Sequence, residues 1–201
     1  MRQRGTWLTA ALIVMLVISP VATPAPAPAK RIAFIIDRWY RCRWSHADVI
    51  GTRFMDGYRV GDTVHPAALS VVSVYADAPS SRDQTRAMAA RYGFRIASSI
   101  ADALLEDHQS ARLRFAADGV LVTTQEDIPG SGQRQSPARR LQVMQEIFRI
   151  MNLAGAHVPI FVDKMLSASW PDSQAIVTEA ARRRIPLMAG SVLPFFQSTS
   201  H

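Results

Sequence analysis

Short apolar segments alternate with amphipathic segments along nearly the whole chain after residue 30. Residues 31–36 (RIAFII) form an apolar run with charges at its ends, a pattern typical of a strand buried on both faces of a parallel sheet. Between such runs, apolar residues recur at helical spacing over segments of about 10 to 17 residues. Because strands and helices alternate, the sequence predicts a single α/β domain with a doubly wound, mostly parallel sheet.

The ends of the predicted helices carry specific signals. Ser45 and Asp48 have the spacing of a capping box, Gly93 stops a helix, and Pro171 suits a first helical turn. Right-handed βαβ units in this order build a Rossmann-like sheet. The predicted strands cover residues 31–36, 69–75, 94–97, 118–124, 157–162 and 186–189, and the predicted helices cover 45–58, 80–92, 99–106, 137–152 and 171–184.

The first 29 residues have the pattern of an export signal and a Pro/Ala leader. Arg2 and Arg4 precede an apolar run over residues 7–18, and small residues and prolines follow up to Ala29. The run is about a dozen residues long, whereas a membrane-spanning helix needs about 20, so cleavage after Ala29 is favoured over an N-terminal anchor. The sequence therefore predicts a periplasmic or extracellular protein that meets a membrane only through its export signal.

Composition excludes several classes of protein. With 48% apolar residues the chain is not intrinsically disordered, and one cysteine rules out an intramolecular disulfide framework and a thiolate zinc site. The five histidines are scattered, so no metal site is predicted. Loss of Arg2 and Arg4 with the leader leaves 21 basic against 16 acidic residues, a formal charge of +5.

The turn after the first strand, residues 37–46, has no glycine, although a dinucleotide-binding fingerprint needs glycines there. One interpretation is that Arg38, Arg41 and Arg43, with Ser45 and His46 at the helix start, bind a phosphate or carboxylate through side chains. A second is that arginines and the aromatic residues 39, 40 and 44 bind single-stranded nucleic acid, which is the least favoured. The third is an exposed loop with no chemical role.

Further polar residues follow the other predicted strands, at the edge where doubly wound sheets bind ligands. Asp77 stands where an acid commonly bonds a ribose, and Thr123 and Thr124 offer hydroxyls to the same crevice. Lys164 follows the fifth strand, where a cation could polarise a carbonyl, donate a proton or bind a carboxylate. Turn-forming residues fill 127–136 at this edge. Each of these also has a plain structural interpretation as a turn, capping or surface residue.

Several segments carry a resemblance to a known family. These are MAARYGF after Asp77, the strand DGVLVTT, and VPIFVDKMLSASWPDSQAIVTEAARRRIPLMAGSVLPF. With their spacing, residues 31–193 resemble the N-terminal domain of the glucose-fructose oxidoreductase and inositol dehydrogenase (Gfo/Idh/MocA) family. The similarity is closer still to a bacterial subgroup that also lacks the glycine fingerprint.

The resemblance implies NAD or NADP as cofactor and a small-molecule, sugar-derived ligand. The family's catalytic lysine maps onto Lys164, its strand-end threonine onto Thr124, and its ribose acid onto Asp77, while Arg43, Ser45 and His46 would face the phosphates. The family's second domain, with its substrate contacts and catalytic histidine, has no counterpart in these 201 residues. The resemblance thus implies either a truncated sugar or polyol dehydrogenase, exported and not active alone, or a binding module for a small anion or sugar acid.

Overall fold

The computed structural model describes residues 29–41, 45–67, 69–77, 79–107, 109–124, 139–167 and 169–190. Eight strands and five helices are assigned within these ranges. In chain order they are β1 (Lys30–Ile36), α1 (His46–Asp56), β2 (Tyr58–Val60), β3 (Thr63–His65), β4 (Leu69–Ala76), α2 (Thr85–Tyr92), β5 (Arg95–Ala97), α3 (Ile100–Leu104), β6 (Gly119–Thr123), α4 (Arg139–Ala154), β7 (Ile160–Asp163), α5 (Trp170–Arg182) and β8 (Leu187–Gly190).

Six of these strands form one sheet in the order β5-β4-β1-β6-β7-β8, and every neighbouring pair is parallel. Numbered among themselves along the chain, the six strands lie in the order 3-2-1-4-5-6 of the Rossmann fold. The direction of winding reverses between β1 and β6. The predicted doubly wound, Rossmann-like α/β fold is confirmed, and all six predicted sheet strands are present.

The sheet, whose strands were predicted from their buried apolar runs, separates two hydrophobic cores, one on each face. Successive residues of a strand point to opposite faces, so Phe34 and Ile36 of β1 pack with α1 and α2, whereas Ala33 and Ile35 pack with α3, α4 and α5. Both layers of helices are therefore anchored on the central strand. Its carboxyl end is consequently held from both sides.

A short antiparallel hairpin, β2 with β3, lies outside the main sheet and was not predicted. Each of its strands has three residues, and most of them are exposed, so no apolar alternation marks them. Gly57, at the end of α1, has a φ of 80° that favours glycine. It turns the chain from the helix directly into the hairpin, two residues earlier than the predicted helix end.

The second helix begins at Thr85 rather than at residue 80, which corrects the predicted boundary. The reason is Asp83, whose carboxylate accepts hydrogen bonds from the backbone N–H groups of Trp39, at 2.7 Å, and Thr85, at 2.8 Å. Residues 80–84 therefore connect the β4–α2 turn to the β1–α1 turn instead of forming a first helical turn. The predicted end of this helix is confirmed by Gly93, which adopts a φ of 77°.

The predicted signal and leader fall on residues 1–28, outside the described residues, apart from Ala29. Within the described ranges, none of the helices combines the length and apolar character that crossing a bilayer requires.

Candidate functional site

The carboxyl ends of β1, β6 and β7 meet at the point where the winding of the sheet reverses, the usual ligand position in this fold. The residues brought to this edge are those that directly follow the strands, together with the first residue of α1. They are Asp37 and Arg38 after β1, Thr123 and Thr124 at the end of β6, Asp163 and Lys164 at the end of β7, and His46 at the start of α1. Parallel strands thus gather the predicted Thr123, Thr124, Lys164 and His46 at one edge.

His46 and Asp163 contact each other across this edge. His46 Nδ1 lies 2.7 Å from Asp163 Oδ2, with 14% of the histidine side chain and 3% of the aspartate side chain exposed. Nδ1 is buried, whereas no partner for Nε2 occurs among the described residues. The ring is therefore held on one side by a carboxylate and presents its second nitrogen away from that carboxylate.

The pKa values of this pair are displaced mainly by burial. Burial lowers the pKa of His46, and the nearby positive charge of Lys164 lowers it further, while the Asp163 carboxylate opposes both. Burial raises the pKa of Asp163, against the charges of His46, Lys164 and Arg140. Because the pKa of His46 lies below its ordinary value, the imidazole is neutral near pH 7 and can act as a proton acceptor.

Arg140 is a buried residue of α4 that fixes the ends of two strands. Its guanidinium donates to the carbonyl oxygens of Asp163, at 3.2 Å, and Met165, at 3.1 Å, and also to that of Thr124. These bonds hold the carboxyl ends of β6 and β7 at a constant separation. Arg140 was not predicted as a site residue, because an arginine beside a second arginine at a helix start resembles an exposed residue. The sequence signal that could have identified it is its place among the apolar positions of α4.

Several buried polar atoms at this edge form no regular hydrogen bond among the described residues. They include the hydroxyl oxygens of Thr123 and Thr124 and Oδ1 of Asp163, and also His46 Nδ1, although that nitrogen lies 2.7 Å from Asp163 Oδ2. Buried polar groups in proteins are nearly always hydrogen-bonded, so each exception requires an explanation. Two hydroxyls and one carboxylate oxygen in adjacent strand ends suit a polar ligand that carries both donors and acceptors.

Lys164 leaves β7 in an unusual backbone conformation. Its φ is 66°, in the left-handed region that non-glycine residues seldom adopt, and its N–H donates to the carbonyl of Gly190 at 2.7 Å. Its charge acts on the pKa values of Asp37, His46 and Asp163. The predicted catalytic residue therefore lies within electrostatic range of the His46–Asp163 pair.

Asp77, at the end of β4, is already occupied by other side chains. Arg139 donates to its carboxylate with two nitrogens, Nε at 2.6 Å and Nη2, and the Tyr75 hydroxyl donates at 3.2 Å. Only 6% of the Asp77 side chain is exposed, against 33% for Arg139. The position expected for a ribose acid thus carries a carboxylate whose charge is neutralised by an arginine from α4.

The first turn is folded inward rather than exposed, so its interpretation as a surface for nucleic acid is wrong for Trp39. That ring is fully buried, stacked on Phe94 at 5.9 Å between centroids, and its Nε1 donates to Asp48 at 3.0 Å. The turn is also bound to the β4–α2 segment, because Gln84 N–H donates to the Trp39 carbonyl at 2.8 Å. Arg43 lies outside the described residues.

Ser45 acts as the cap of α1. Its hydroxyl accepts hydrogen bonds from the backbone N–H groups of Asp48 and Tyr40, each at 3.4 Å. The predicted cap is confirmed, but Asp48 does not complete a capping box, since its carboxylate binds the Trp39 indole. The side chain of Ser45 therefore orients the helix start that carries His46.

Among the described residues, no group of three or more His, Cys, Asp or Glu side chains is arranged to hold a metal ion.

No protein-family model matches the chain, and no curated protein matches it. Solved structures that it resembles include GenD2 of gentamicin A biosynthesis in complex with NAD (13% identity, TM-score 0.49) and the biliverdin reductase of Synechocystis with biliverdin and NADP+ (14%, 0.49). A third is the WlbA dehydrogenase of Chromobacterium violaceum with NADH and UDP-GlcNAcA (15%, 0.46). They cover 81%, 83% and 85% of this chain but only 34%, 39% and 37% of their own.

The chain therefore spans little more than a third of the length of the structures it matches. These neighbours, which were solved with NAD, NADP+ or NADH, are Gfo/Idh/MocA-type enzymes, the family that the sequence resembles. At identities below 20% the similarity concerns the fold, and the fold itself is established by the strand order of this chain.

Proposed function

We propose that this chain is an oxidoreductase-like domain that binds NAD or NADP, with a polyol or sugar-derived substrate, at the carboxyl edge of its sheet. The observation that carries the proposal is the convergence of buried groups on Thr123, Thr124 and Asp163, unpartnered among the described residues, at the reversal point of a 3-2-1-4-5-6 sheet. Sites of this kind combine a crevice with a few fixed polar groups. Export to the periplasm or outside the cell belongs to the same proposal and is supported by the basic and apolar pattern of the first 18 residues.

The strand ends β6 and β7 fit the nicotinamide half of such a cofactor. When bound, the nicotinamide would supply hydride transfer. The threonine hydroxyls can donate to and accept from a carboxamide or a ribose, and Lys164 places a positive charge beside them. These residues bind and orient the ring, and no metal ligand is required.

The phosphates would be held by side chains rather than by a glycine-rich backbone turn. Trp39 and its packing partners lie in the core. The residues of this turn that lie at the carboxyl edge of the sheet are therefore Asp37 and Arg38. The Arg38 side chain pairs with Asp37 at 3.5 Å and also donates to Tyr40 at 3.3 Å. Arginine suits phosphate because its planar donors match two phosphate oxygens.

The charge balance of the edge favours an anion. Arg38, Lys164 and Arg140 are cationic, whereas Asp37 and Asp163 are the carboxylates beside them. With His46 neutral, positive charge is in excess by one. This excess also supports the second candidate, a non-catalytic module that binds a small anion or a sugar acid.

Calorimetric titration of the purified chain with NAD(H), NADP(H) and gluconate separates the two candidates. Dinucleotide binding with a Kd below about 1 mM, weakened at least about tenfold by Lys164→Ala, is the expected result. The chain contains two lysines, and the other, Lys30, is exposed at the opposite end of the sheet, so Lys30→Ala is the matched control. Failure of all four dinucleotide forms to bind at millimolar concentration would contradict the cofactor proposal, and gluconate binding in that case would establish the anion module.

A further inference from the structure

We infer that His46 and Asp163 form a proton-transfer pair, in which Asp163 holds Nδ1 of His46 and Nε2 takes the proton of a hydroxyl on the bound substrate. The inference rests on the proposed function and deepens it. It takes as proton donor a hydroxyl of the polyol or sugar-derived substrate already proposed. It also moves the acid–base role from Lys164, the residue expected from the family resemblance, to a pair that belongs to the first helix and the fifth strand of the main sheet.

The geometry of the pair carries the argument. A histidine whose Nδ1 is bound by a buried carboxylate has a fixed ring orientation and a fixed tautomer, with Nε2 as the proton acceptor. In this chain Nδ1 is buried 2.7 Å from Asp163 Oδ2, and Nε2 has no partner among the described residues. Burial of an aspartate against a histidine at a ligand edge has no evident purpose in stabilising the fold, because desolvation offsets much of the attraction.

Both members of the pair are held by the surrounding backbone. His46 is the first residue of α1, directly after the capping Ser45, and Asp163 is the last residue of β7. Arg140 binds the carbonyl of Asp163 and that of Met165. A proton acceptor that does not move before the reaction is what catalysis by positioned groups requires.

The charges around His46 keep it unprotonated. Lys164 lowers its pKa and Asp163 raises it, while burial dominates and lowers it. Asp163 in turn is faced by Lys164 and Arg140. Asp37 is the other carboxylate of this edge. Burial raises its pKa, which the charge of Lys164 opposes, and its carboxylate is paired with Arg38. The pair therefore enters the reaction as a neutral imidazole beside a carboxylate.

The step is balanced as an alcohol oxidation. The O–H bond of the substrate breaks and its proton binds Nε2, while NAD+ or NADP+, when bound, would accept the hydride from the adjacent C–H bond. The products are a carbonyl compound, the reduced dinucleotide and an imidazolium that Asp163 stabilises until the proton is released to water. Lys164 stabilises the alkoxide charge that develops on the substrate oxygen. The reverse sequence reduces a carbonyl.

The pair itself is tested by nitrogen-15 NMR of the full chain with labelled histidine. The expected result is a single tautomer of His46 with the proton on Nδ1, and a pKa below the ordinary value of a histidine. Asp163→Asn should remove the carboxylate that raises the pKa, so the pKa of His46 should fall further and the tautomer preference should weaken. A His46 whose pKa has the ordinary value of a histidine and does not change in Asp163→Asn overturns the inference without reference to any cofactor.

The reaction is tested by mixing the chain with NAD+ or NADP+ and a panel of myo-inositol, xylitol and glucose. His46→Gln should lower turnover by at least about 100-fold while dinucleotide affinity changes less than about threefold, since general-base catalysis contributes 10²–10⁴. His65→Gln, at the hairpin, is the control and should leave turnover unchanged. Turnover retained by His46→Gln, or absent in the unmodified chain that binds dinucleotide, overturns the inference; absence of dinucleotide binding instead rejects the proposed function.

Discussion

Arg139 and Asp77, 62 residues apart in the sequence, are joined by a two-nitrogen ion pair between the start of α4 and the end of β4. The Tyr75 hydroxyl donates to the same carboxylate. In Rossmann folds an acid at this position binds the ribose of NAD, and an arginine nearby accepts the 2′-phosphate of NADP. Under the proposed function, the pair would combine both groups that select the cofactor in one contact.

Replacing Arg139 by alanine should shift cofactor preference toward NAD. The change leaves the Asp77 carboxylate without its counter-charge, which repels a 2′-phosphate and frees oxygens for ribose hydroxyls. We expect the affinity for NADP(H) to fall by at least about tenfold relative to NAD(H), measured by calorimetry. Arg149→Ala is the control, because Arg149 lies on the same helix and pairs with Glu146 in solvent. Equal losses for both dinucleotides would show that the ion pair takes no part in cofactor choice.

Trp39 and Gly51 should be energetically coupled. A Cβ added at Gly51 would lie 2.9 Å from Trp39 Cη2 and 2.7 Å from Phe34 Cε1, so Gly51→Ala should destabilise the fold by about 1–3 kcal/mol despite the higher helix propensity of alanine. Trp39→Phe should cost about 1–3 kcal/mol through lost volume and the lost bond to Asp48. Because the smaller ring makes room, the double variant should be less destabilised than the two costs together, by about 1 kcal/mol in urea denaturation. Strict additivity would show that the two residues do not share that space.

The order and type of the main elements were predictable because the central strands, such as β1 and β6, are buried on both faces. A short apolar run such as residues 31–36 is typical of a strand that is buried on both faces of a parallel sheet. The β2–β3 hairpin was not predictable in the same way, because its exposed residues include Tyr58, Val60 and Val64 without an apolar face to set a period. The start of α2 was predicted wrongly for a different reason. The Asp83 carboxylate accepts a hydrogen bond from the Trp39 N–H, a tertiary contact that the local sequence does not encode.

The candidate site was predictable in its location and only partly in its chemistry. Parallel strands necessarily bring their carboxyl ends together, so Thr124 and Lys164 had to share an edge with the start of α1. The pairing of His46 with Asp163 depends on the direction of side chains on two separate elements, which spacing does not fix. Burial of Arg140 could not be inferred either, since its partners are carbonyl oxygens that any residue supplies.

Loss of Arg140 should be one of the most destabilising single changes in the chain. Arg140→Leu keeps an apolar side chain in the buried position but leaves the carbonyls of Thr124, Asp163 and Met165 without this donor. The bonds to Thr124 and Asp163 are buried, and each unsatisfied buried acceptor costs about 1–3 kcal/mol, so we expect at least about 2 kcal/mol in chemical denaturation. The stability of Arg140→Lys should lie between those of the parent protein and Arg140→Leu, because an ammonium group cannot reach all three carbonyls. A leucine variant as stable as the parent protein would mean that the strand ends are held by other contacts.

Glu179 should make the free energy of unfolding depend on pH in the acidic range. Hydrogen bonds from Arg182 and then Arg183 lower the pKa of Glu179 from 4.5 to about 2. Because the folded value lies below the unfolded one, the stabilisation is complete above about pH 5 and disappears as the pH falls toward 2. Between pH 5 and pH 2, Glu179→Gln should therefore lose less stability than the parent protein. Urea denaturation at each pH measures the free energy of unfolding of both proteins. Because the Arg182–Glu179 ion pair faces solvent, 1 M salt should reduce the difference. A pH dependence identical in both proteins would exclude Glu179 as its source.

Lys164 allows the charge of the site to be separated from its backbone conformation. A left-handed φ costs an L-residue about 1–2 kcal/mol, and glycine avoids that cost but loses more conformational entropy on folding. Lys164→Gly should therefore be more stable than Lys164→Ala by about 1 kcal/mol, by chemical denaturation, whereas both should weaken dinucleotide binding alike because both lack the ammonium. Arg184 has a φ of 55° near the start of β8, so Arg184→Gly and Arg184→Ala should reproduce the stability difference without any change in affinity. If Lys164→Gly binds dinucleotide as tightly as the parent protein, the ammonium does not contact the cofactor. If only the alanine variant loses affinity, the backbone turn rather than the charge shapes the pocket.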